Sequence, residues 1–475
     1  MLFSFMRTRQ SGQSLLEAIL AIALFAISLG ALVPYLNNQL SQLGGARASL
    51  QAQELAEEGL EALRSLRDQN WSLLTPGSHG IVLSSNLWAL QSASDTANGF
   101  TRSVTLTDLN ANEKYVLATV TWLDSFQRAR MLTLPSVITN FRYVAEVLLS
   151  GNWYNPQTLG TVDLGPGNSA TGLAVRSGMV YMTATASDKK KPDFYVIDAT
   201  NGAQPIVRGS VNVGEGLHAV ALSGNYAYVA SQDQDNQLQV IDVTTSTSPL
   251  LVTAVPVPAD QEGLSIAVTS TTLYLGLKGG TGPDFFVIDI SNPVSPVIRG
   301  SLTVGADINA ISVFKNRVVL ATSKDTAEFV VVNATDPTTP SISNSFDVDG
   351  TQDAMSLYTN SQDSRAYLVR VQGDGLPTHP QLVIFDATNP DSAIVIGTLA
   401  VSTDVNAVFA ADNLAFLATS DANQEFKIME VSNPSSPQPY SGLNFPQVAS
   451  GLAFENNTVY VSVRSNDALR IITSQ

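Results

Sequence analysis

The chain has 475 residues, 44% of them hydrophobic, and 25 Lys+Arg against 41 Asp+Glu give a formal charge of −16. That length suits about three average domains or one large repeat domain plus a smaller one, and the acidity argues against a nucleic-acid partner, which needs a basic face. The absence of cysteine excludes disulfides, thiolate metal sites and cysteine nucleophiles and fits an exported protein, while His79, His218 and His379 leave little for histidine catalysis.

Residues 1–12 carry Arg7 and Arg9 and precede an apolar stretch from Leu15 to Leu36 broken by one charge, Glu17. These 22 residues are enough to span a bilayer as a helix, with the arginines on the cytoplasmic side. An ordinary secretory signal has its small-residue cleavage site after the apolar segment; here Gly12 lies before it. The segment Gly12-Gln13-Ser14-Leu15-Leu16-Glu17 resembles the class III signal of type IV prepilins. The resemblance implies that a prepilin peptidase cuts after Gly12 and methylates the new amine of Gln13, which stands where the family usually has Phe or Met. It implies that Glu17 pairs with the N-terminal amine of a neighbouring subunit during assembly, as a costly intramembrane carboxylate needs a partner. Pro34, with Gly30 just before it, stands where many pilins have a helix-loosening proline. The plainer alternative is a signal anchor with an incidental Gly and Glu.

The helix is expected to continue. Between Ala46 and Asp68, Leu50, Leu55, Leu60, Leu63 and Leu66 form an apolar stripe among Gln, Glu and Arg. A helix from Ser14 to about Arg67, within a segment 13–70, would be roughly 80 Å long. Residues 71–143 then read as a small antiparallel sheet: Ile81–Leu83, Phe100–Leu106, Tyr115–Leu123 and Arg128–Leu134 have strand character. Long helix followed by small sheet resembles the pilin head. A link is expected within Ser136–Ser150, with the interdomain linker at 144–154.

One pattern then recurs seven times: an apolar-x-apolar-apolar run, closed in most copies by an acid. Its copies start at Phe194, Leu238, Phe285, Phe329, Leu382, Phe426 and Leu469. The spacing of 43–53 residues, with two strands upstream and one downstream, is that of a four-stranded propeller blade. The units resemble the LVIVD-type repeat of bacterial surface propellers, best in Val-Ile-Asp-Ile-Ser-Asn-Pro at 287–293, over about Leu173 to Gln475. The last copy stops short of a fourth strand, and Asn155 to Val162 reads as that missing strand, closing the ring and leaving no open edge. The expected fold class is therefore an α+β pilin module followed by an all-β propeller over 155–475, of seven blades, with six and eight as the alternatives.

Glu215, Glu262, Asp307, Asp353 and Asp404 precede the first strand of five units, and loops at that position converge at one end of a propeller channel. Five carboxylates there suit a cation such as Ca²⁺; the plainer reading is that each caps a turn. Asp347-Val-Asp349-Gly350 with Asp353 is a fragment of a calcium-loop pattern. Asp198, Asp242, Asp289 and Asp386, inside the repeat, are expected to anchor turns, and Lys189-Lys190-Lys191 to be an exposed hairpin tip. No catalytic motif is found and no cofactor is implied.

These signals give a non-enzymatic, pilin-like filament subunit, in the inner membrane before assembly and on an extracellular filament afterwards. Its expected partners are other pilin subunits, the prepilin peptidase and a surface or protein ligand of the propeller. The alternatives are a pseudopilin of a secretion or DNA-uptake machine, or a membrane-anchored ligand-binding propeller.

Overall fold

The computed structural model describes residues 45, 47–67, 71–84, 87–91, 93–110, 113–124, 126–139, 149–186, 188–373 and 379–475. Gly12, Gln13, Glu17, Pro34 and the apolar stretch 15–36 lie outside them. Among the described residues no helix is long and apolar enough to cross a membrane. The chain forms two compact units, Met1–Val144 and Ala145–Gln475.

In the first unit a helix, α1 (residues 47–67), covers one face of an antiparallel sheet. The strands are β1 (Gly77–Ser84), β2 (Leu87–Gln91), β3 (Asp95–Ala97), β4 (Phe100–Asn110), β5 (Glu113–Leu123) and β6 (Ala129–Thr139). Their order is β2-β1-β4-β5-β6, with β3 on β4. Alternation decides the buried face: Val104 and Leu106 of β4 and Val116, Ala118 and Val120 of β5 are buried at every second position. The helix meets them through Ala52, Ala56, Leu60, Leu63 and Leu66. Leu50, expected in that stripe, is 63% exposed, because alanines at 52 and 56 bring the helix close to the sheet and leave Leu50 off the contact line. The sheet has six strands where four were expected, and β6 runs to Thr139, so Ser136 lies in a strand and not in a link.

The second unit consists of seven four-stranded antiparallel sheets. Blades 1 to 6 run from their first to their last strand as Asn168–Arg176 to Ile206–Val211, Leu217–Ser223 to Leu250–Val255, Gly263–Val268 to Val297–Leu302, Ile308–Phe314 to Ser341–Phe346, Ala354–Asn360 to Ile394–Leu399, and Val405–Ala411 to Gln438–Leu443. Blade 7 combines Ala449–Glu455, Thr458–Val463 and Asp467–Thr473 with an N-terminal strand, β7 (Gln157–Asp163), on its outside. The first strands touch their neighbours around a closed circle. Seven apolar clusters fill the interfaces between successive blades. The third strands, such as Phe285–Asp289, are covered on both faces and so read as nearly unbroken apolar runs.

Residues 149–154, expected as linker, are part of the propeller: Trp153 is 3% exposed in the cluster between blades 6 and 7.

Candidate functional site

The first strand of every blade carries a β-bulge, and the extra residue is Thr171, His218, Leu264, Asn309, Met355, Asn406 or Ser450. A bulge re-aims a side chain, and all seven residues line one central cavity of about 570 Å³. Several of them tie the ring together. Thr171 Oγ1 donates to the Leu217 carbonyl (2.6 Å), Asn309 Nδ2 to Ala354 (2.8 Å), Asn406 Nδ2 to Ala449 (2.8 Å) and Ser450 Oγ to Ala170 (3.0 Å), each acceptor in the next blade. Ser265 Oγ donates to the Ile308 carbonyl (2.6 Å) in place of Leu264, which has no polar atom to offer. His218 Nε2 lies 3.4 Å from Glu262 Oε2. The channel wall thus combines the apolar Leu264 and Met355 with polar groups, of which Thr171, Asn309, Asn406 and Ser450 are already bonded to the next blade.

At one mouth of the channel, Glu262, Asp307, Asp353 and Asp404 occupy equivalent positions. The backbone carbonyl of each accepts the N–H of a residue just past the second strand of its blade: Lys278, Ser323, Val371 and Ser420. Glu215 does not belong to this set. Its neighbour Gly216 makes the equivalent bond to Gln232, and Glu215 lies one residue earlier, paired with Lys189. The side chains serve the blades: Asp307 accepts from Gly279 N (2.8 Å) and Asp404 from Gln372 N (2.8 Å), each across a blade boundary. Glu262 pairs with Lys278 at 3.2 Å. Burial raises the pKa of Asp353, and the charges of Asp307 and Asp325 add to that effect. Among the described residues no three His, Cys, Asp or Glu side chains are placed to hold a metal ion. Of the mouth carboxylates, Asp307 and Asp404 bridge blades as acceptors of backbone N–H groups. The Asp347–Gly350 turn belongs to the fold as well, with the Asp349 carbonyl accepting from the buried Arg370.

The acids inside the repeat do anchor turns: Asp198, Asp242, Asp289 and Asp386 accept from the N–H two residues on, at Thr200, Thr244, Ser291 and Thr388. Bonds from Thr200 and Arg208 hold the Asp198 pKa down to about 2. Lys189 and Lys190 are exposed at a hairpin tip.

A second set of anchors is absent from the repeat pattern as read from the sequence. The residue just before the third strand is Asp193, Gln237, Asp284, Glu328, Gln381 or Glu425, and all six are buried. Each accepts the N–H of the residue 20 positions later: Val213, Val257, Val304, Val348, Val401 and Phe445. An acid or glutamine one place ahead of the apolar run was the available signal.

The ring of seven four-stranded sheets defines a β-propeller-like, mostly-β protein. Within it, residues 218–256, 280–304 and 404–440 match the family model described as LVIVD repeat. Among solved structures, the β-propeller domain of Cps50 (Swd1) from Myceliophthora thermophila is 11% identical, with 68% of this chain and 100% of that one covered at a TM-score of 0.52. A catalytically inactive virginiamycin B lyase from Staphylococcus aureus, solved with quinupristin, is 12% identical, covering 68% and 100% at 0.51. The WD40 propeller domain of Doa1 is 12% identical, covering 68% and 97% at 0.50. At such identities the likeness is one of fold alone. Comparison with curated proteins gives no match.

Proposed function

We propose that this chain is a pilin-like filament subunit that carries a propeller as its binding module, displayed for adhesion or partner capture outside the cell. The observation that carries the reading is the run Gly12-Gln13-Ser14-Leu15-Leu16-Glu17 at the head of an apolar stretch of 22 residues. In this account the peptidase cuts after Gly12, and Glu17 neutralises the amine of a neighbouring subunit, since an unpaired intramembrane carboxylate is costly. Pro34 loosens the helix as it packs. The subunit waits in the inner membrane and leaves it on assembly.

Two features of the fold support a division of labour. The first unit sets a helix on an antiparallel sheet, and the second offers a lined channel. Electron microscopy with a label on the propeller, in cells with and without the gene, tests the proposal. Labelled filaments, with surface attachment lost on deletion, are the expected result. An export defect with attachment intact and no labelled filament would overturn it in favour of a secretion pseudopilin.

A further inference from the structure

We propose that residues 149–156 form a latch that holds the propeller ring shut, with Asn457 as its catch. Each of blades 1 to 6 passes to the next by continuous chain. Blade 7 is different: its outer strand β7 comes from the other end of the unit and is joined to Asp467–Thr473 by hydrogen bonds and packing alone. β7 is also an outer strand, so its ladder holds it from one side.

Just upstream of β7 the chain leaves the ladder and is gripped by other means. The Asn457 side chain makes three bonds to it: its Oδ1 accepts from Ser150 N (2.9 Å) and Trp153 Nε1 (3.2 Å), and its Nδ2 donates to the Ser150 carbonyl (3.0 Å). Leu149 N donates to Asp412 Oδ2 (2.6 Å), and Ser441 Oγ donates to the Tyr154 carbonyl (2.6 Å). Gln475 is caught too, as Asn152 N donates to its carbonyl (2.6 Å) and Gln475 N donates to that of Asn152 (3.4 Å). Trp153 sits edge-on to Phe416, with ring centroids 5.0 Å apart, inside the cluster between blades 6 and 7.

The catch is built by the turn that carries it. Asn456 and Asn457 both have positive φ, 50° and 58°, a region asparagine enters more readily than other non-glycine residues. The turn thereby presents the amide of Asn457 to the incoming chain. One residue supplies three bonds, and blades 6 and 7 are both clamped to the chain that precedes β7. Opening of the ring at its non-covalent joint therefore begins with release of this segment. Any pull arriving from the N-terminal side meets the latch before it meets β7.

Hydrogen exchange of the full chain under native conditions tests this. Asn457→Gly keeps a residue at ease with positive φ and removes the amide, so the catch is lost without straining the turn. Exchange in β7 and in Asp467–Thr473 is expected to rise about tenfold, while the strands of blades 2 to 5 keep their wild-type rates. Trp153→Phe, which keeps an aromatic ring in the cluster but removes the Nε1–H and part of the indole's bulk, is expected to raise exchange at the same two strands as well. Unchanged exchange in β7 in both variants, or an equal rise in every blade, would overturn the proposal.

Discussion

The two units stabilise antiparallel β structure by opposite means. The first has a core where α1 meets β4 and β5, and an ion network centred on Arg102 ties helix to sheet. Arg102 reaches both oxygens of Asp95, the Leu55 carbonyl and Glu58 from a nearly buried position. The propeller divides its core into seven clusters and repeats its polar anchors at fixed register. The difference teaches that a repeat distributes what a single core concentrates. Loss of one anchor should weaken one blade interface, whereas loss of Arg102 should strike a whole unit.

That contrast can be broken by experiment. Arg102→Ala leaves the half-buried Asp95 carboxylate without its cation, held by the Ile81 N–H, and should cost about 3–5 kcal/mol. In calorimetry of the full chain, the transition of the first unit should fall while that of the propeller holds. If both transitions move together, the units are not independent. Asp284→Ala is the propeller's counterpart. Asp284 accepts from Val304, Gly305 and Ala306, and its removal should cost about 2–3 kcal/mol, with the fastest exchange at blades 3 and 4.

Glycine gives a sharper pair. A Cβ at Gly397 would overlap the Pro434 carbonyl oxygen of the next blade, so Gly397→Ala must move backbone and should cost about 1–3 kcal/mol. A Cβ at Gly59 in α1 would lie 3.2 Å from Val104 Cγ1, a flexible side-chain contact. The gain in helix propensity of about 1 kcal/mol should offset that, leaving Gly59→Ala near neutral in thermal denaturation.

A further small effect concerns pH. Burial raises the pKa of Asp193 against several backbone N–H bonds that lower it, and its Oδ2 is buried without a partner. With the folded value above the unfolded one, this group adds stability as pH falls through the folded value, and that contribution is lost as pH rises. Asp193→Asn imitates the neutral form. It should stabilise by less than about 1 kcal/mol at neutral pH, and the gain should shrink as the medium is made acidic. A gain that grows in acid would show the carboxylate to be favourable as an anion.

Which features were legible in the sequence follows the same contrast. The seven four-stranded sheets could be read because a third strand buried on both faces leaves an apolar run, as in Phe285–Asp289, that recurs at blade spacing. The buried anchors at Asp193 to Glu425 were missed because their partners lie 20 residues away, a relation that only the strand register reveals. The mouth carboxylates are legible as acids ahead of a first strand, but nothing local says that Asp307 serves Gly279 of the preceding blade. Glu215 was misassigned by one residue, since acidity at a loop does not fix register. In the first unit Leu50 was placed in the core on spacing alone, whereas the alanines at 52 and 56 set the contact line. Asn457 and Trp153 escaped notice because each gains its meaning from a segment some 300 residues away.

The most direct test of the central proposal is the mass of the mature N-terminal peptide, measured in cells with and without the prepilin peptidase. The account predicts a peptide that begins at a methylated Gln13 when the peptidase is present, and an uncut Gly12–Gln13 bond when it is absent. An uncut bond in both strains would contradict assembly through the pilin pathway.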